Sequence, residues 1–190
     1  MPSALASRSR IKLSVCISTR NRAPLLRETL ESIIAQATNE CEIVVLDGAS
    51  TDHTAQVADQ AGRAANLRYV RQDVNTGLDR GFNEAVEAAQ GEYCWLMPDD
   101  DLMKPGAIDT VLALLDRDYS LIVANVEYRS FDMSATVKHC DLDIASDVEF
   151  SPSDLDGLFS ACWKLIRYTG AIIIKREIWI AREKEKYYGS

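Results

Sequence analysis

The chain is predicted to fold as an α/β protein, with a mostly parallel sheet and helices on both faces. Three observations carry this. Short apolar runs alternate with amphipathic helical stripes from residue 11 to about 127. Three of those runs end in polar clusters: Ser18-Thr19-Arg20-Asn21, Asp47 to Asp52, and Asp99-Asp100-Asp101. With 190 residues, 47% of them hydrophobic, the chain can also bury a sizeable core as one domain without disulfide or structural metal.

The elements follow in order. Residues 11–18 are dense in β-branched and apolar types and form a buried strand. Pro24 suits the first turn of a helix, and Leu26, Leu30, Ile33, Ile34 and Ala37 follow at helical spacing. Residues 42–46 make a second strand, and Thr54, Val57, Ala58, Ala61 and Ala65 line a second helix. A short strand at 67–71 precedes the turn Asn75-Thr76-Gly77. The helical stripe Leu78, Phe82, Ala85, Val86 and Ala89 comes next, with Gly91 as its stop. Tyr93 to Met97 is a fourth strand, and Pro105 opens a helix faced by Ile108, Val111, Leu112 and Leu115. Residues 120–127 return to strand. Beyond about 130 the alternation weakens into an acidic, loop-rich or hairpin region. Residues 157–167 then read as helix, 170–175 as strand, and Arg176 to Tyr188 as a charged helix.

Composition narrows the function classes. A net charge of −8 argues against a nucleic-acid partner. Among 190 residues there is no run of about 18 apolar ones, so no membrane-spanning helix is expected. Met1 to Arg10 lacks an apolar segment and reads as a frayed tail rather than a secretory signal. Cys16, Cys41, Cys94, Cys140 and Cys162 are odd in number and show no CxxC spacing. Four of the five sit in apolar stretches and fit buried thiols; the set suits a reducing cytosol rather than a zinc site. No GxGxxG, GxxxxGK[ST] or GxSxG occurs, which argues against a dinucleotide-dependent dehydrogenase, a P-loop enzyme and a serine hydrolase.

The polar clusters carry the chemistry, because open parallel sheets bind ligands beyond the carboxyl ends of their strands. Asp99, Asp100 and Asp101 are adjacent carboxylates at a strand end, and two such charges about 4 Å apart repel by roughly 4 kcal/mol at an effective dielectric near 20. A divalent cation relieves that cost, and an oxygen donor set favours Mg²⁺ or Mn²⁺ with phosphate completing the shell. The alternative is a solvated acidic loop. Asp47 ends its strand beside Gly48 and can accept hydrogen bonds from a base or ribose, while Thr51 and Asp52 read as helix caps. Ser18 to Asn21 can meet a nucleotide, with Arg20 or Arg22 on phosphate. Asn75, Gly77, Arg80 and Asn83 open a helix whose N-terminus favours anions, and Arg80 can reach a pyrophosphate. His53 and His139 are too scattered to anchor zinc. Trp163 reads as core, the other possibility being a ring that stacks on a sugar.

These residues resemble a known family. Leu13-Ser-Val-Cys-Ile-Ser-Thr-Arg-Asn-Arg resembles the opening strand of family 2 glycosyltransferases, and Ile43-Val-Val-Leu-Asp-Gly-Ala-Ser-Thr-Asp-His-Thr resembles their second strand and loop. Asn75-Thr-Gly with Asn83 and Gly91-Glu-Tyr resembles their third segment, and Met97-Pro-Asp-Asp-Asp with Pro105-Gly-Ala resembles their DxD region. Four motifs in the right order over residues 11–108 make the likeness specific, and it is strongest to the abequosyltransferase-type branch of bacterial surface-polysaccharide synthesis.

The resemblance implies a GT-A fold, a Rossmann-like sheet, and an inverting, metal-dependent transfer of hexosyl type from a nucleotide-sugar donor. The acceptor would be a saccharide or lipid-linked molecule. It implies that Ser18, Arg20 and Asp47 contact the nucleoside, and that Asp99, Asp100 and Asp101 hold ribose, diphosphate and Mg²⁺ or Mn²⁺ between them. It divides the chain into a nucleotide-sugar-binding half, 11–130, and a partial acceptor-side region, 131–190. The expected location is cytoplasmic, peripheral at the membrane, with Arg176 to Lys186, four basic and three acidic residues, a weak anchor. Two departures stand out. The family often has an acidic pair where this chain has Asp47-Gly48. Its general base comes some ninety residues past the DxD region, about where Ser190 stands, and no residue here matches it. The chain therefore reads as an active transferase or, alternatively, as a nucleotide-sugar-binding module without turnover. A nucleotidyltransferase would want a glycine-rich loop after the first strand, and a phosphoacceptor receiver domain an acidic pair there. Neither stands at Ser18 to Arg22.

Overall fold

The structure, a computed structural model, describes residues 10–130, 132–142 and 144–183. Its elements are β1 (Leu13–Thr19), α1 (Ala23–Ile34), β2 (Cys41–Asp47), α2 (Thr54–Gly62), β3 (Leu67–Arg71), α3 (Leu78–Ala88), β4 (Tyr93–Met97) and α4 (Ala107–Leu115). After them come β5 (Leu121–Val123), β6 (Tyr128–Arg129), β7 (Thr136–Lys138), α5 (Leu155–Ile166), a 3₁₀ turn (Thr169–Ala171), β8 (Ile172–Lys175) and α6 (Arg176–Ala181). Six strands form one sheet in the order β3-β2-β1-β4-β8-β5, and β6 and β7 form a separate hairpin. β1 to β4 are parallel; β8 runs antiparallel between β4 and β5.

Helices cover both faces, so every residue of β1, β2 and β4 is buried. Leu13, Val15 and Ile17 of β1 point to one face, where α1, α2 and α4 supply Leu26, Leu30, Ile33, Val57, Ala61, Ile108 and Val111. Cys16, Val44, Leu46 and Leu96 point to the other, against Phe82, Ala85 and Val86 of α3 and Trp179 and Ile180 of α6. A smaller cluster of Leu142, Cys162, Leu165 and Ala171 lies under α5.

Small residues set how closely α3 approaches β1. A Cβ at Gly81 would stand 2.1 Å from Ser18 Oγ, and one at Gly91 would stand 2.8 Å from Ser14 N and 2.9 Å from Leu13 C. Buried Glu42 ties the same place together, accepting from Ser14 Oγ at 2.6 Å and from Gly91 N at 3.3 Å. Gly91 therefore serves close packing. It was expected to end the helix, but α3 stops earlier, where Ala89 turns extended. Likewise Pro105 lies in the turn before α4, and Gly106, at φ 81°, is the residue that enters the helix.

The later chain departs further from expectation. The strand expected over 120–127 is only β5, because its single neighbour in the sheet is the short β8. The charged helix expected to Tyr188 is α6 as far as Ala181, where Arg182 turns extended; residues 184–190, like the expected tail at 1–9, lie outside the described residues. Trp163 is not core: α5 buries only Cys162 and Leu165, and Leu155, Phe159 and Trp163 are 65%, 61% and 43% exposed. Among the described residues no helix is long and apolar enough to cross a membrane.

The close approach at Gly91 gives a stability prediction. Gly91→Ala sets a methyl group against β1 backbone that cannot rotate away, so chemical denaturation should show a loss of about 1–3 kcal/mol. Gly81→Ala meets a serine hydroxyl instead, and its loss should be relieved by adding Ser18→Ala.

Candidate functional site

β1, β2 and β4 run the same way, so the three polar loops meet at one edge of the sheet. The chain passes from β1 to β2 on one side and returns to β4 on the other, which opens a crevice beyond their carboxyl ends. The β1 loop reaches across that crevice to the acidic run. Thr19 Oγ1 donates to Asp99 Oδ2 at 2.7 Å and Arg22 Nη1 to Asp99 Oδ1 at 2.7 Å, while Arg22 Nη2 donates to Asp100 Oδ2 at 2.9 Å. On the far side, the Tyr168 hydroxyl donates to Asp101 Oδ2.

The three carboxylates thus sit in different settings. Asp99 is only 5% exposed, and burial pushes its pKa up, the bonds from Thr19 and Arg22 offsetting part of that rise. Asp101 is also pushed up, first by burial and then by the charges of Asp100 and Asp99, against the Tyr168 bond. Asp100 faces solvent. Each oxygen of Asp99 already accepts one hydrogen bond, from Thr19 and from Arg22. Asp100 and Asp101 each keep one carboxylate oxygen free of hydrogen bonds among the described residues. No group of three or more His, Cys, Asp or Glu converges into a metal cluster among the described residues. Two hard oxygen donors do fit a Mg²⁺ or Mn²⁺ ion that takes the rest of its shell from phosphate and water.

The neighbouring β2 loop is held from within. Asp47, expected to meet the nucleoside, has no exposed surface: its Oδ1 accepts from Ser50 N at 2.8 Å and its Oδ2 from the Tyr69 hydroxyl, with Arg71 Nε at 3.7 Å. Its carboxylate is consumed in shaping the loop. The β1 and β2 loops are then stitched together. Asn21 N donates to Ser50 Oγ at 2.8 Å and Thr51 N to Asn21 Oδ1 at 2.7 Å, while Gly48 N donates to Thr19 O at 2.9 Å. Asn21 and Ala49 adopt left-handed backbone, at φ 53° and 60°. Asp52 caps two helix starts, accepting from Ala23 N at 3.1 Å and Thr54 N at 3.0 Å. Burial works against its charged form, but the bonds from Thr54 and Ala23 outweigh that and hold its pKa low.

Ser18, also expected at the nucleoside, is buried against α3 beside Gly81, because β1 alternation turns its side chain away from the rim. Arg20 is at the rim, exposed beside Gly48, and among the described residues its guanidinium has no hydrogen-bond or ion-pair partner. Arg80 is exposed in the first turn of α3. Sequence reasoning missed Tyr69 and Tyr168. Tyr69 faces Asp47 one strand away, a placement that strand order alone reveals, and Tyr168 lies 67 residues from its partner with no motif to mark it.

Comparison with known proteins agrees with this geometry. The model of the family described as glycosyl transferase family 2 matches residues 14–178. The abequosyltransferase RfbV of Salmonella typhimurium is 28% identical over 187 residues, covering 93% of this chain and 56% of that protein. A GalNAc(5)-diNAcBac-PP-undecaprenol β-1,3-glucosyltransferase of Campylobacter jejuni is 30% identical over 60% of this chain and 38% of its own length. The chain thus spans about half the length of the relatives it matches, or less. Among solved structures, residues 1–349 of TarS from S. aureus, also solved with UDP-GlcNAc, superpose with a TM-score of 0.69. The identity is 19%, over 94% of this chain and 50% of that one, and the likeness shows a shared GT-A fold. The mannosyltransferase PcManGT of Pyrobaculum calidifontis, in complex with GDP-Man and Mn²⁺, gives 0.54 at 28% identity over 63% of this chain and 36% of that one.

The raised pKa of Asp101 makes a prediction about the unliganded chain. A carboxyl whose pKa is raised on folding costs stability above that pKa and nothing below the unfolded value. Asp101→Asn should therefore melt higher than the parent at neutral pH, and the gap should close as pH falls below about 4. Thermal unfolding of both across pH checks this; a constant gap would mean a pH-independent cause.

Proposed function

The chain belongs to glycosyl transferase family 2, and from that premise we propose that it transfers a sugar from a nucleoside diphosphate donor to a saccharide or lipid-linked acceptor in surface-polysaccharide synthesis. The observation that carries this reading is the acidic run at the end of β4, bridged to the β1 loop through Thr19 and Arg22. The name of the Campylobacter relative, which states a PP-undecaprenol-linked acceptor, supports a lipid-linked acceptor. The proposed setting is the cytoplasmic face of the membrane, with the protein held peripherally.

In this reading the stitched loops form a preformed floor for the nucleoside. Asp47 acts from below, by fixing the Gly48–Ser50 backbone through Ser50 and Tyr69. Arg20 and Arg80, two exposed cations at this edge, meet the diphosphate. Asp99 holds Arg22 and Thr19 at the crevice, and so sets where the ribose and diphosphate can lie. Asp100 and Asp101 would hold Mg²⁺ or Mn²⁺, which when bound supplies Lewis-acid stabilisation of the leaving diphosphate. The acceptor hydroxyl needs a general base, and no described residue is assigned that role.

Thermal stability in the presence of nucleoside diphosphates, with and without Mn²⁺, tests the donor site. One nucleotide at about 100 times its dissociation constant should add about 2.7 kcal/mol. The gain should need the metal and should disappear in Asp100→Ala. Stabilisation by none of the nucleotides would defeat the reading, and binding without release of diphosphate from the sugar donor would favour a module without turnover.

A further inference from the structure

Tyr168 joins the later part of the chain to the acidic run, and the backbone around it is fixed from several sides. Tyr168 N donates to Leu165 O at 2.9 Å, and Ala171 N returns to Tyr168 O at 3.1 Å. Leu165 is wholly buried, and the Tyr168 ring packs on its cluster. One residue into the 3₁₀ turn, Gly170 O accepts from Trp95 Nε1 of β4 at 2.8 Å, and Ala171 O accepts from Ala124 N at 2.8 Å. The turn lies hard against the acidic loop: a Cβ at Gly170 would stand 3.1 Å from both Asp101 Oδ2 and Pro98 Cδ. So Oδ2 of Asp101 faces a fixed wall and the tyrosine hydroxyl, and the other oxygen is the one with no partner among the described residues.

We propose that Tyr168 is a positioning residue for donor binding: its hydroxyl holds one oxygen of Asp101, so that the other is presented to the divalent cation of a nucleoside diphosphate–metal complex. The inference rests on the reading of Asp99 to Asp101 as the donor-diphosphate site. A carboxylate on a short side chain can rotate about its last bond, and its affinity for a cation depends on which oxygen it offers. Groups that orient a metal-binding carboxylate from behind are worth roughly 10–100-fold in metal affinity. Tyr168 also ties cation binding to the turn leading into β8, so the sheet itself supports the ligand.

The test is titration of the full chain with Mn²⁺, read by the electron paramagnetic resonance of free Mn²⁺, in the presence of UDP or GDP. Tyr168→Phe keeps the ring and removes only the hydroxyl. It should weaken Mn²⁺ binding by about 10–100-fold, while metal-free nucleotide binding stays at the parent value; the unliganded protein should melt lower by what the bond to half-buried Asp101 contributes. Equal Mn²⁺ affinity in parent and Tyr168→Phe overturns the proposal and leaves the donor site standing. A lower melting temperature with unchanged Mn²⁺ affinity, measured where both proteins are folded, also overturns it, since the hydroxyl would then serve packing alone. If the parent chain binds no Mn²⁺ with either nucleotide, the donor-site reading and the role of Tyr168 fall together.

Discussion

Three adjacent carboxylates at the end of β4 are the constraint that orders this molecule's working edge. Two of them are drawn out of water, and burial raises the pKa of both. Such charges persist only where hydrogen bonds or opposite charges are built around them. Asp99 is met by Thr19 and Arg22 from the β1 loop, which requires β1 and β4 to be neighbours. Asp101 is met by Tyr168, which requires the turn before β8 to lie beside β4. The sheet order and the placement of the acidic run are two views of one arrangement.

The β2 loop solves a related problem in another way. Asp47 is enclosed completely, and its partners are a backbone amide, a tyrosine hydroxyl and a nearby arginine. The hydrogen bonds that join this loop to the β1 loop bring two left-handed residues, Asn21 and Ala49, into a shared frame. The rim is held by its own hydrogen bonds, and a preorganised rim loses less entropy on binding. Arg20 and the open oxygens of Asp100 and Asp101 are left as the groups with capacity to spare.

The sheet and the edge were legible in the sequence because both depend on local pattern. Alternating apolar runs marked β1 to β4 and α1 to α4, and the rule that ligands gather at carboxyl ends brought the three polar clusters together. What was not legible depends on pairing at a distance. Strand alternation turns Ser18 under α3, which a list of polar residues after a strand does not reveal. The burial of Asp47 by Tyr69 depends on the order β3-β2-β1, which local pattern does not reveal. Tyr168 carried no periodic or motif signal, since its position follows from the insertion of β8. Trp163 misled for the opposite reason: its apolar neighbours suggest a core that α5 buries on one side only.

The place of β8 has a consequence for the order of assembly. β5 precedes β8 by some fifty residues in the chain, yet the two are paired, and β8 alone links β5 to β4. A ribosome releasing this chain from its amino end completes β1 to β4 and their helices first. β5 then waits without a strand partner until Ile172 to Lys175 emerge. The edge of β4, complete about 25 residues earlier, is open for longer still, and unpaired strand edges are where growing chains misassociate. The turn that carries Tyr168 arrives just ahead of the closing strand, so the last event in building the sheet is also the one that sets the side chain of Asp101.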